Sequence, residues 1–106
     1  MQQLKDPAAQ VPAEQALRLE PDNAFYAGTL GWILVEKGET ASGLRYLREA
    51  RLRRPESGEI RFRLAFALAK SGRKQEAKEE LAAALSAPEP VKNGPQLVAL
   101  RKEVGL

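Results

Sequence analysis

The sequence contains no cysteine and no histidine. The first absence excludes disulfides and thiolate metal sites, and leaves the redox compartment open. The second removes the commonest general base and the commonest metal ligand together. No run of about 18 apolar residues occurs, so no segment reads as a membrane-spanning helix. The opening residues, MQQLKDPAAQVPAEQ, hold no apolar stretch of the kind a signal peptide needs, and they read as a cut into a longer chain. Seventeen basic residues against 14 acidic ones leave a net charge of +3, a smaller excess than a polyanion binder usually carries. There is no glycine-rich phosphate loop. Catalysis would fall to Asp/Glu pairs, Lys or Ser/Thr, and carboxylates such as Glu76, Glu79 and Glu80 fall on faces expected to be exposed. The reading is therefore no enzyme, no catalytic residue, no metal and no cofactor.

What the sequence does contain is a repeat. LGWILVEKG, from Leu30 to Gly38, returns as LAFALAKSG, from Leu64 to Gly72, 34 residues later. At that offset Pro21 meets Pro55, Leu34 meets Leu68, Leu47 meets Leu81 and Ala50 meets Ala84. Small residues meet at Gly31 with Ala65 and at Gly43 with Ala77. Carried backwards, the register puts Ala16 on Ala50, so part of a further repeat comes before the first full one.

Within one period the signals are helical. Phe25, Ala27, Leu30, Ile33, Leu34 and Val35 spread too broadly for a strand and follow helical spacing. Pro21 stops what comes before, and Asp22 or Asn23 offers an N-cap. Gly38 offers a C′ residue, with Lys37 beside the negative end of the helix dipole. Thr40 is expected to cap a second helix running to about Arg53. Pro55 ends it, and Ser57 opens a third helix to about Lys70, stopped by Gly72. A fourth covers 74–86. The proline- and glycine-containing stretch 87–95 is a linker. Beyond it Leu97, Leu100 and Val104 form the stripe of a short terminal helix. At the front, Pro12 suits the first turn of a helix over 13–19. The expected organisation is a frayed segment over 1–12, a repeat domain over 13–90 (helix 13–19, repeats 24–57 and 58–86, then linker), and a capping helix within 91–106.

Helix pairs at this period resemble the tetratricopeptide repeat (TPR) family. The first full repeat supplies Ala27, Leu30, Gly31, Leu34, Gly38, Gly43, Leu47, Ala50 and Pro55 at the family's spacing. The second supplies Arg61, Leu64, Ala65, Leu68, Gly72, Ala77, Leu81 and Ala84, with Glu89 in place of the closing proline. Ala27 and Arg61 stand where the family often has Trp, and Leu34 and Leu68 where it often has Tyr. The resemblance implies an all-α, right-handed solenoid of antiparallel helix pairs with a C-terminal capping helix. The wording of the repeats also resembles the C-terminal repeats of bacterial TPR lipoproteins associated with exosortase (PEP-CTERM) systems, which implies the periplasm for an exported chain.

The function that the family resemblance implies is protein–protein interaction. In TPR proteins the first helix of each pair lines a concave groove. Here that face carries Phe25, Trp32 and Val35, then Phe62 and Phe66, with Glu36 and Lys70 at its edge. Trp32 and Phe66 each follow a seam leucine by two residues, and so point about 200° away from it around the helix. Read as contacts, these side chains hold a peptide or helix of a protein partner. Read as core, they are covered by terminal helices or neighbouring repeats. The polar clamp by which chaperone-type repeats hold a terminal carboxylate is not matched, because the inner positions are Gly28, Trp32, Phe62 and Phe66. A second role is the structural end of a longer array, mediating assembly or self-association. A third is anionic-polymer binding through Arg45, Arg48, Arg51, Arg53, Arg54, Arg61 and Arg63, although acids are interleaved with them. That cluster reads first as a solvated surface with pairs such as Glu49 with Arg53, and no nucleic-acid partner is expected.

Overall fold

The computed structural model describes residues 7–92 and 94–106. They form α1 (Pro7–Leu19), α2 (Ala24–Glu36), α3 (Thr40–Arg53), α4 (Gly58–Lys70), α5 (Lys74–Leu85) and α6 (Gly94–Val104), with no strand among the described residues. α2 packs on α3 and α4 on α5 as antiparallel pairs. α1 lies against α2, and α6 closes the far side on α4 and α5.

Each boundary has a local cause. The Tyr26 N–H donates to Asn23 Oδ1 at 3.0 Å, and the Ile60 N–H donates to Ser57 Oγ at 3.2 Å, so each repeat starts on a side-chain N-cap. Arg54 leaves the helical region (φ −139°, ψ 71°), as the residue before a proline must. The first helix of each pair ends in the same hydrogen-bonded turn. Gly38 and Gly72 take φ of +98° and +80°. The following N–H groups of Glu39 and Arg73 reach back to the carbonyls of Leu34 and Leu68 at 2.8 and 2.9 Å. This is the Schellman closure, and only glycine enters it without strain.

Two boundaries differ from the sequence reading. Thr40 does not cap α3; it is the first helical residue, and Glu39 holds the cap position without a side-chain bond. The Schellman turn already delivers Glu39 to the helix start, so no residue remains to serve as cap. α1 begins at Pro7 rather than Ala13, with Pro12 inside it. Pro12 removes one helical hydrogen bond there, but Gln10 ties the early turns down. Its Nε2 donates to Glu14 at 3.0 Å, and its Oε1 accepts from Lys37 Nζ at 2.7 Å. Of the segment expected to fray, residues 1–6 lie outside the described residues.

The repeat motif is the core. Leu30, Leu34, Leu47, Ala50, Leu64, Ala65, Leu68, Ala77, Leu81 and Ala84 are all buried, each large one contributing about 1.5–3 kcal/mol of transfer free energy. The α2–α3 crossing is tighter than side chains would permit. A Cβ on Gly31 would stand 2.9 Å from the Gly43 carbonyl oxygen, and one on Gly43 would stand 2.7 Å from the Gly31 carbonyl oxygen. Ala65 and Ala77 hold the equivalent places between α4 and α5.

Candidate functional site

The first helix of each pair presents one stripe away from its partner: Phe25, Thr29, Trp32 and Glu36 on α2, and Glu59, Arg63, Phe66 and Lys70 on α4. These sets correspond one to one at the repeat period. Trp32 and Phe66 are half-buried against the core. Their ring centroids are 5.0 Å apart and their planes are 69° apart, an edge-to-face arrangement that is favourable beyond simple burial. Arg63 Cζ lies 5.6 Å from the Trp32 ring centroid, and Lys70 Nζ lies 5.6 Å from that of Phe66. Each aromatic thus carries a cation on its face.

The stripe opens into a groove of about 950 Å³. The start of α2, with Phe25, forms one wall, and Pro88, Pro90 and Lys92 of the linker form the other. Glu59, Ile60 and Arg63 of α4 make the floor. Arg63 belongs to both places, since it lines the groove and covers Trp32. The linker wall is fixed by backbone bonds: Gly58 N–H donates to the Glu89 carbonyl at 2.6 Å, and Glu89 N–H donates to the Glu56 carbonyl at 3.1 Å. Arg54 grips Glu89 through both guanidinium and carboxylate arms, with Nε to Oε1 at 3.1 Å. The position where the repeat lacks its closing proline is thus held by an ion pair. Lys92 N–H donates to Glu59 Oε1 at 3.0 Å.

Of the contact candidates, Trp32, Phe66, Phe25, Glu36 and Lys70 have accessible surface, and Phe25 is 69% exposed. Phe62 and Val35 do not. Phe62 is 0% exposed behind Trp32 and Phe66, at centroid distances of 6.2 and 6.3 Å, and Val35 is 3% exposed beside Gly43. Both are core residues. The reason is rotation about the helix axis: Phe62 is four residues before Phe66 and turns into the core cluster that holds Val35, Leu44 and Leu47. The sequence reading left Arg63 among the surface arginines. Its signal was the period itself, which aligns Arg63 with Thr29, a neighbour of Trp32 on the stripe.

Of the other arginines in the cluster, all but Arg45, which lies over the Tyr46 ring, are paired within the chain. Arg48 pairs with Glu76 at 3.1 Å, and Arg53 pairs with Glu49 at 2.8 Å and Asp22 at 3.1 Å. Arg51 and Arg61 both hold Glu80, at 2.8 Å each. Glu80 was expected on an exposed face but is only 7% exposed. Two arginines from neighbouring helices supply the charge compensation that lets a carboxylate sit there. Arg61 also donates to the Pro55 carbonyl at 2.7 Å, so it fills the place where such repeats often carry Trp by joining α4 to α5 and to the turn before it. The hydrogen bond from Arg48 holds the Glu76 carboxyl below its ordinary value, and the hydrogen bonds to Glu49 and Glu89 raise Arg53 and Arg54 further. Among the described residues no group of acids could hold a metal ion.

Residues 34–100 match the family model described as tetratricopeptide repeat. A comparison with curated proteins finds no match.

Proposed function

Since the chain belongs to the tetratricopeptide repeat family, whose repeats are protein-interaction and scaffolding modules, we propose that it binds a segment of a protein partner along the stripe of α2 and α4. Phe25, Trp32 and Phe66 supply the apolar contacts, and Glu36, Arg63 and Lys70 orient the segment. The observation that carries this reading is the half-buried Trp32–Phe66 pair, with a cation over each ring, joined through Arg63 to a groove beside the exposed Phe25. Large rigid aromatics in such a place are typical binding hot spots. Selection of peptides from a displayed random library tests it. The binders should lose affinity by tenfold or more on Trp32→Ala or Phe66→Ala, and keep it on Arg45→Ala, which lies off the stripe. Binders indifferent to both aromatic changes would remove the assignment.

Assembly along an array is a second reading. Val11 and Leu19 on α1 are 54% and 83% exposed, on the helix that the repeat register makes part of a preceding repeat. A solution mass that rises with concentration, and falls back on Leu19→Glu, would support it; a monomer at all concentrations would oppose it.

A further inference from the structure

We infer that the segment taken by this groove is acidic, with carboxylates flanking its apolar anchors. The inference rests on the interaction reading above and specifies its partner. It comes from which charges the fold has already used. The three acids lining the groove are engaged: Asp22 with Arg53, Glu89 with Arg54, and Glu59 with the Lys92 backbone and, at 3.4 Å, with Arg63. The groove arginines Arg53 and Arg54 are likewise engaged.

Along the α4 side two cations keep their full donor capacity, Lys70 and Lys92, while Arg63 is shared with Glu59. Lys92 and Lys70 make no ion pair among the described residues, and Lys70 Nζ rests only over the Phe66 ring. Arg63 faces Glu59 through Nε without a hydrogen bond, and its guanidinium lies over Trp32. Arg63 and Lys70 are seven residues apart on α4, about 10.5 Å along the axis. Phe25 and Trp32 have the same separation on α2. The groove and the stripe that continues from it through Arg63 thus carry apolar side chains, Phe25 and Trp32 on α2 and Phe66 on α4, beside cations on α4 and the linker. Glu36, exposed and unpaired among the described residues, follows Trp32 on α2. The complementary ligand carries apolar side chains about 10 Å apart along one edge and carboxylates along the other. In an extended polyproline-like segment, residues three apart lie on one face about 9.3 Å apart. Recognition runs through side-chain carboxylates, so it needs no chain terminus.

The test uses the full chain and fluorescein-labelled peptides blocked at both ends, read by anisotropy near physiological salt. One peptide carries two phenylalanines spaced three apart among glutamates, the second the same among lysines, the third the same among serines, and the fourth glutamates with alanines for the phenylalanines. The first should bind at least tenfold tighter than the lysine version, and the alanine version should fail. Lys70→Glu and Lys92→Glu alter exposed side chains and should leave the circular dichroism unchanged. Each should weaken the first peptide by about fivefold, the scale of an exposed ion pair. If the glutamate, serine and lysine peptides bind equally and all shift Trp32 emission, the acidic preference is wrong while the interaction reading stands. If the alanine peptide or heparin binds as tightly as the first, the face is a polyanion surface and the inference falls. If no peptide of any charge binds, both readings fall.

Discussion

The Trp32 indole stands edge-on to the Phe66 ring, with centroids 5.0 Å apart, and beneath both lies Phe62 with no exposed surface. The three rings come from two repeats, so the same cluster joins the repeats and shapes the stripe. The aromatics therefore divide by depth. Phe62→Ala should cost about 3–5 kcal/mol in urea unfolding, because it opens a cavity in the core. Phe25→Ala should cost less than about 0.5 kcal/mol, yet weaken any ligand of the groove. Similar stability losses for the two would contradict this division.

The Gly31–Gly43 crossing predicts an asymmetry between equivalent positions. Gly43→Ala should destabilise by about 1–3 kcal/mol, since its Cβ would meet Val35 at 2.5 Å and the Gly31 carbonyl at 2.7 Å. Alanine is the native residue at the matching Ala77. Thermal unfolding of Gly43→Ala and Ala77→Gly decides it. An unchanged midpoint for Gly43→Ala would show that α2 and α3 can move apart.

Glu80 fastens α5 to both α3 and α4. Glu80→Ala should cost about 3 kcal/mol, leaving Arg51 and Arg61 without their shared partner in a half-buried site. Replacing the more accessible carboxylate one turn earlier, Glu76→Ala, should cost much less. A double-mutant cycle of Glu80→Ala with Arg61→Ala should show clear coupling.

Glu76 also gives a sign for acid sensitivity. Its carboxyl is held below the ordinary value of 4.5 by the Arg48 hydrogen bond. Its contribution is therefore fully present above that value and is lost as pH falls through the lowered one. Glu76→Gln should lose less stability than the parent between neutral and acid pH. Parallel curves for the two proteins would remove Glu76 from the acid response.

The repeat period makes the fold legible in the sequence itself. Gly38, Gly72 and the buried leucines and alanines fall where the 34-residue offset puts them. The errors arose where tertiary contacts overrode a local signal. Pro12 suggested a helix start, but the Gln10–Lys37 contact holds an earlier one. Glu80 looked like a solvated acid because its two arginines are distant in sequence. The candidate site was legible to the level of a face, not of a side chain. A helical stripe identifies Trp32 and Phe66 together, but whether Phe62 or Arg63 shares it depends on a rotation of about 100°, settled by packing that no local pattern records. Lys92 could not be found at all, because the linker is held at the groove by contacts distant in sequence, with Arg54, Glu56, Gly58 and Glu59.

The chain has a single tryptophan, and it sits at the centre of the proposed contact. The most direct measurement is Trp32 emission, with acrylamide quenching, as a selected peptide is titrated into the full chain. Binding in the groove predicts a blue shift and a fall in quenching that saturate at the affinity measured by anisotropy. A peptide that binds by anisotropy while Trp32 emission and quenching stay unchanged would contradict the account.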